Sequence, residues 1–232
     1  MAKSEFTKSS VGKKVLMALS GFFLLFFLLQ HFSINLLSVF SEEAFNEASH
    51  FMGTNPLVQY ALQPVLFFGV MFHFVMGIYL ELQNRSARPI KYSMNKGSAN
   101  SSWMSRNMII TGMMVLFFLG LHLYDFWVHE MNVKFVQGDM SGLINSQAAD
   151  SGYRYWQELQ EKFHDPVRTG IYVFAFVLLS LHLLHGFQSA FQSVGFRHNK
   201  YTPLIKKLGT LYAIGIPAGF AIIAIYHFAN SL

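Results

Sequence analysis

Five stretches of this chain, near residues 14–40, 57–82, 106–129, 167–195 and 204–229, are each apolar for long enough to cross a bilayer as a helix, which takes about 20 residues. In hydrocarbon every backbone N–H and C=O must find its partner inside the chain, so such stretches fold as helices and not as open sheets or loops. The sequence therefore predicts an all-α integral membrane bundle of five transmembrane helices, forming one domain over residues 1–232. Pro56, Pro166 and Pro203 stand at the starts of the second, fourth and fifth spans, where a missing N–H is harmless. Pro64 and Pro217 lie inside spans and are expected to bend them. The first run follows Lys13 and Lys14 and is far longer than the apolar core of a cleaved signal peptide, so it reads as a retained helix.

Composition agrees. Charged residues make up 12% of the chain, against about 25% in soluble domains, and mean hydropathy is +0.34. There is no cysteine, which excludes disulfides, thiolate metal sites, cysteine-held iron–sulfur clusters and covalently attached c-type haem. A net charge of +5 could suggest nucleic acid, but the placement of the charges argues for membrane orientation and no nucleic-acid partner. Lys3, Lys8, Lys13 and Lys14 precede the first span; Arg85, Arg88, Lys91, Lys96 and Arg106 follow the second; Arg197, Lys200, Lys206 and Lys207 follow the fourth. The other connections carry Glu42, Glu43, Glu47, Glu130, Asp139, Asp150, Glu158, Glu161 and Asp165. By the positive-inside rule the N-terminus is cytoplasmic and the C-terminus lies outside. The long third connection, about 130–166, contains an amphipathic stretch from Tyr153 to Phe163, expected at the outer interface.

Four histidines sit inside the spans: His31, His73, His122 and His182. An ionisable ring in hydrocarbon is costly and marks a functional site. Counting along spans of alternating direction, at about 1.5 Å per residue, puts His31 and His122 in the outer half and His73 and His182 in the inner half. Two pairs at two depths suit two haems, each held by one imidazole from either side. Gly69 and Gly77 flank His73 by four residues, and Gly186 follows His182 by four, so each shares its histidine's helical face and leaves room for a flat macrocycle. His185, three residues after His182, competes with it on spacing. His129 and His227 lie near outer span ends, where an imidazole is cheap, and His50, His164 and His198 lie in connections.

The stretches LSGFFLLFFLLQHFSIN (19–35), FHFVMGIYLE (72–81), LGLHLYDFW (119–127) and LHLLHGFQSAFQSVG (181–195) resemble the di-haem cytochrome b membrane anchor of succinate:quinone oxidoreductases and quinol:fumarate reductases. The resemblance implies a multi-pass protein of the bacterial cytoplasmic membrane with two haem b groups: a proximal one on His73 and His182 and a distal one on His31 and His122. It favours His182 over His185, because the family's ligand is followed by glycine four positions on. It also implies a flavoprotein and an iron–sulfur subunit docked on the cytoplasmic face, with menaquinone or another membrane quinone as substrate and lipid around the spans. The chain has neither flavin nor cluster ligands of its own, so it would be the subunit of a succinate dehydrogenase or fumarate reductase that does not handle the dicarboxylate. Some fumarate-reducing members carry a glutamate two residues before the fourth-span ligand; here Ser180 stands there, and that proton route is not expected.

Quinone reduction needs a proton donor beside an apolar slot. Glu47, Asp125 and His129 are the candidates near the outer end, and Arg85 and Arg168 could face haem propionates. No residue is assigned to catalysis. Two other readings stay open: the cytochrome b anchor of a hydrogenase or formate dehydrogenase, and a cofactor-free transporter or proton channel.

Overall fold

A computed structural model describes residues 9–86, 107–148 and 150–232. The basic residues Lys3, Lys8, Arg88, Lys91, Lys96 and Arg106, and the expected start of the third span, lie outside them. The described chain is all-α, with no strand beyond a single bridge between Leu143 and Tyr153. Five helices are long and apolar enough to cross a membrane. We number all helices in chain order: α1 (Ser10–Phe40), α3 (Val58–Ser86), α4 (Met108–Val136), α6 (Pro166–Ser193) and α7 (Thr202–Asn230) are the spans, while α2 (Glu42–Thr54) and α5 (Tyr155–His164) are short. Phe26, Phe68 and Phe117 are each at least 70% exposed, a surface suited to acyl chains and not to water.

The helix starts follow local chemistry. Asn55 Oδ1 accepts from the Leu57 and Val58 N–H groups at 2.9 and 3.3 Å ahead of α3, and Asp165 Oδ1 accepts from Val167 N–H at 2.9 Å ahead of α6. In both, proline follows the capping side chain, where its fixed φ suits the first turn. The α3 span opens as a wide π turn over Val58–Leu62, the Gln63 N–H reaching back to the Val58 carbonyl. That turn absorbs Pro64, whose ring would clash with the carbonyl four residues earlier in a regular helix. Pro217 lies inside α7 and is fully buried.

Two features were not expected from sequence. Residues 42–54, read as a connection, form α2, started by Ser41, whose Oγ accepts from Ala44 N–H at 3.1 Å, with Glu42 and Glu43 at the positive end of the helix dipole. The third span also runs past residue 129 to Val136 through two π turns, Leu123–Val128 and Asn132–Val136.

The chain forms two compact units. One comprises Met1–Phe27, Leu66–Met113 and Leu179–Gly215; the other comprises Leu28–Val65, Met114–Leu178 and Ile216–Leu232. Each long helix gives a segment to both. In the second unit Phe45, Leu159, Phe163, Tyr172, Phe176, Phe220, Ile223 and Ala224 form the buried core. The amphipathic α5 thus sends Leu159 and Phe163 inward, and Trp156 is tied to α1 by its indole N–H on the Ser38 carbonyl at 3.0 Å.

Candidate haem sites

The first unit brings His73 of α3 and His182 of α6 together, their ring centres 6.5 Å apart and planes 71° apart. Ser20 Oγ lies 3.0 Å from His73 Nδ1, and Thr111 Oγ1 lies 3.4 Å from His182 Nδ1. The second unit brings His31 of α1 and His122 of α4 to 5.8 Å, with planes 78° apart. Phe118, Phe126, Tyr172 and Phe220 ring this pair. The buried His122 Nδ1 has no hydrogen-bond partner, an arrangement that is rare unless another group is to be served.

These pairs can be tested against the group the sequence implies. A metal held by two opposed imidazole nitrogens, each about 2 Å away, sets the ring centres about 6 Å apart. Both pairs match. Among the described residues no group of three or more His, Asp or Glu side chains converges on one point. Two imidazoles alone do not make a closed site for a bare ion, but they complete the coordination of iron whose other positions a porphyrin fills. The donor sets fit haem b.

The glycines divide. A Cβ on Gly69 would drive into the Phe23 ring, whereas Cβ atoms on Gly77 and Gly186 would meet only Met17 Cε at 3.6 Å and Met108 Cε at 3.4 Å. The glycines that touch the histidines are others: Gly21, facing His73 Cε1 at 3.7 Å from a built Cβ, and Gly112, facing His182 Cε1 at 3.3 Å. Sequence reading overlooked both because they lie on the facing helices. His185, on the same turn as His182, is partly buried.

Asp125 was a candidate proton donor for the quinone near the outer end. It is 2% exposed, bonded to the Arg168 guanidinium and accepting from the Tyr172 hydroxyl at 2.8 Å. Arg168 is thereby committed to a carboxylate of the protein, and Arg85 pairs with Glu81 at 2.7 Å. His129 Nε2 lies 3.3 Å from Glu158 Oε1, and Glu47 is exposed on α2. His227, expected in a wet position, is fully buried, with Nε2 at 2.9 Å from Ser38 Oγ. Being near a span's end does not keep a ring wet when α5 folds back over it through Trp156.

Nearby, charges close on one another. Glu130 meets Lys134 at 2.8 Å and Arg154 at 2.7 Å, and Arg154 reaches Glu158 at 3.0 Å. The Lys134 side chain is 1% exposed and also bonds the Gly53 carbonyl of α2. Burial holds the Glu158 carboxyl above its ordinary value, against the pull of Arg154. Gly142, at φ +66° and with the Tyr155 hydroxyl where a Cβ would stand, allows the close turn that delivers Arg154.

No protein-family model matches the chain, and no solved structure matches it significantly. Among curated proteins, the succinate dehydrogenase cytochrome b558 subunit of Bacillus subtilis (strain 168) is 29% identical over 150 residues, covering 64% of this chain and 70% of the relative. The resemblance read from the four histidine-bearing stretches is borne out at that level: the chain is similar to a succinate dehydrogenase cytochrome b subunit.

Proposed function

We propose that this chain is the single-domain membrane anchor and electron-transfer subunit of a succinate:quinone oxidoreductase or quinol:fumarate reductase in a bacterial cytoplasmic membrane. The likeness to the Bacillus subtilis subunit supports the class. The observation that carries the reading is the pair of facing imidazole couples, 6.5 and 5.8 Å between ring centres, which no third His, Asp or Glu joins among the described residues.

In this reading His73 and His182 hold the proximal haem b, and His31 and His122 the distal one. Bound there, the two haems supply one-electron chemistry between an iron–sulfur partner subunit and a membrane quinone. The aromatic rings around His31 and His122 exclude water from the distal couple and lower the local dielectric. The exposed Arg197, Lys200, Lys206 and Lys207, with the basic N-terminus, mark the cytoplasmic end where flavoprotein and iron–sulfur subunits dock. Quinone chemistry at the outer end would draw on Glu47 and His129, which keep solvent access. Asp125, held by Arg168 and Tyr172, shapes that end.

Haem content of the purified complex, by pyridine haemochrome absorbance against protein, tests the assignment. Two haem b per chain, reducible by succinate and reoxidised by a quinone, is the expected result. One haem per chain, or none in intact protein made with haem available, overturns it.

A further inference from the structure

The two rings of the proximal couple are held in the same manner from two different helices. Ser20 and Gly21 are consecutive on α1, and Thr111 and Gly112 are consecutive on α4. In each dipeptide the hydroxyl stands at the Nδ1 of the ring, 3.0 Å for Ser20 and His73 and 3.4 Å for Thr111 and His182. The glycine beside it gives the ring's Cε1 room against the backbone. A Cβ at Gly112 would crowd the His182 ring at 3.3 Å, whereas one at Gly21 would meet His73 at ordinary contact, 3.7 Å.

Each of the two hydroxyls also bonds a backbone carbonyl. A hydroxyl has one proton to give. That of Ser20 goes to the Met17 carbonyl at 2.8 Å, and that of Thr111 to the Met108 carbonyl at 3.0 Å. Each hydroxyl so bonded has a lone pair to offer the imidazole, and with Nε2 on the metal it is Nδ1 that carries a proton and donates it.

The other couple is built differently. Near His31 Nδ1 stands the Asn35 amide nitrogen, a donor at 3.4 Å whose short bond, 2.9 Å, goes to the His31 carbonyl. His122 Nδ1 has no partner. No hydroxyl acceptor stands at His122 Nδ1.

Resting on the two-haem reading, we propose that Ser20 and Thr111 are positioning residues for the haem on His73 and His182. By accepting from Nδ1 they set the ligating tautomer and raise the basicity of both imidazoles. A more basic ligand favours ferric over ferrous iron, so the two hydroxyls hold the proximal potential below the value the same site would have without them.

The test is potentiometric titration of the haem absorbance of the intact complex, with Ser20→Ala, Thr111→Val and the double variant. Expected are two haems per chain, an upward shift of one midpoint and no change in the other, with altered electron paramagnetic resonance of one ferric haem only. Ser20→Thr and Thr111→Ser, which keep the hydroxyls, should titrate as the parent. Made on a His122→Ala background, the double variant should shift the haem that remains. Loss of that haem alone in Ser20→Ala, reversed in Ser20→Thr, supports the same role. Two haems with neither midpoint moved, both moved alike, or an equal shift in the hydroxyl-keeping variants overturns the proposal while leaving the two-haem reading standing. A parent complex without haem overturns both.

Discussion

Asp125 of α4 and Arg168 of α6, 43 positions apart, form an ion pair in which the carboxylate side chain is 1% exposed and the guanidinium 30%. Tyr172 completes the acid's hydrogen bonding. Removing one member of a buried pair strands the other charge, which costs more than the pair itself contributes. Arg168→Leu should therefore destabilise the protein by about 3 kcal/mol, the low end for buried pairs because Arg168 keeps some exposure. Adding Asp125→Asn should recover part of that loss. Thermal unfolding in detergent decides it: a double variant no better than Arg168→Leu would argue that the pair is not electrostatically coupled.

The ligand assignment predicts an all-or-none outcome per site. His73→Ala or His182→Ala should give protein with one haem per chain, and so should His31→Ala or His122→Ala, while His185→Ala should keep two. The spectra should fall into two classes according to the couple broken. If His185→Ala loses a haem and His182→Ala does not, the fourth span has been misassigned.

Gly69 and Gly77 flank His73 symmetrically in sequence but not in space. A Cβ on Gly69 meets the Phe23 ring, whereas one on Gly77 meets only the flexible end of Met17. Gly69→Ala should cost about 1–3 kcal/mol through overpacking, and Gly77→Ala should be close to neutral. Comparing melting temperatures and haem content of the two variants checks this; equal effects would mean that the Phe23 contact does not govern the site.

His50 stacks on Tyr153, with ring centres 4.0 Å apart. Burial first, and then the neighbouring Lys134, hold its imidazole below the ordinary 6.5, with Glu130 opposing and Arg154 adding to Lys134. A base whose folded-state value is depressed takes up its proton more readily in the unfolded chain. Its contribution to stability is thus steady above about pH 6.5 and declines as pH falls below that. His50→Gln should flatten the fall of melting temperature between neutral pH and pH 5; an unchanged slope would assign the acid sensitivity elsewhere.

What the sequence made legible was what repeats at helical spacing or carries charge. The five spans followed from length and hydropathy, and the histidines stood out because rings like theirs are costly in hydrocarbon. The π turn after His122 has no residue pattern of its own, and it rotates everything beyond Leu123, so Asp125 could not be assigned to the interior by counting. Its partner Arg168 belongs to another span, and one sequence does not say which spans face each other. The same blindness directed attention to the glycines on each histidine's own helix and away from Gly21 and Gly112. The α2 helix was hidden because its composition is that of a wet loop and only the Ser41 cap announced it.

The charges of the molecule differ in their exposure to salt. Arg197, Lys200, Lys206 and Lys207 are exposed, and above physiological ionic strength their reach shrinks to a few ångströms. The network of Glu130, Lys134, Arg154 and Glu158 is largely closed to mobile ions, with Lys134 sealed inside it. Concentrated salt should therefore loosen any soluble subunit held electrostatically at the lysine-rich end while α2, α4 and α5 stay tied together. A salt wash would then separate an assembly of this kind without unfolding its anchor.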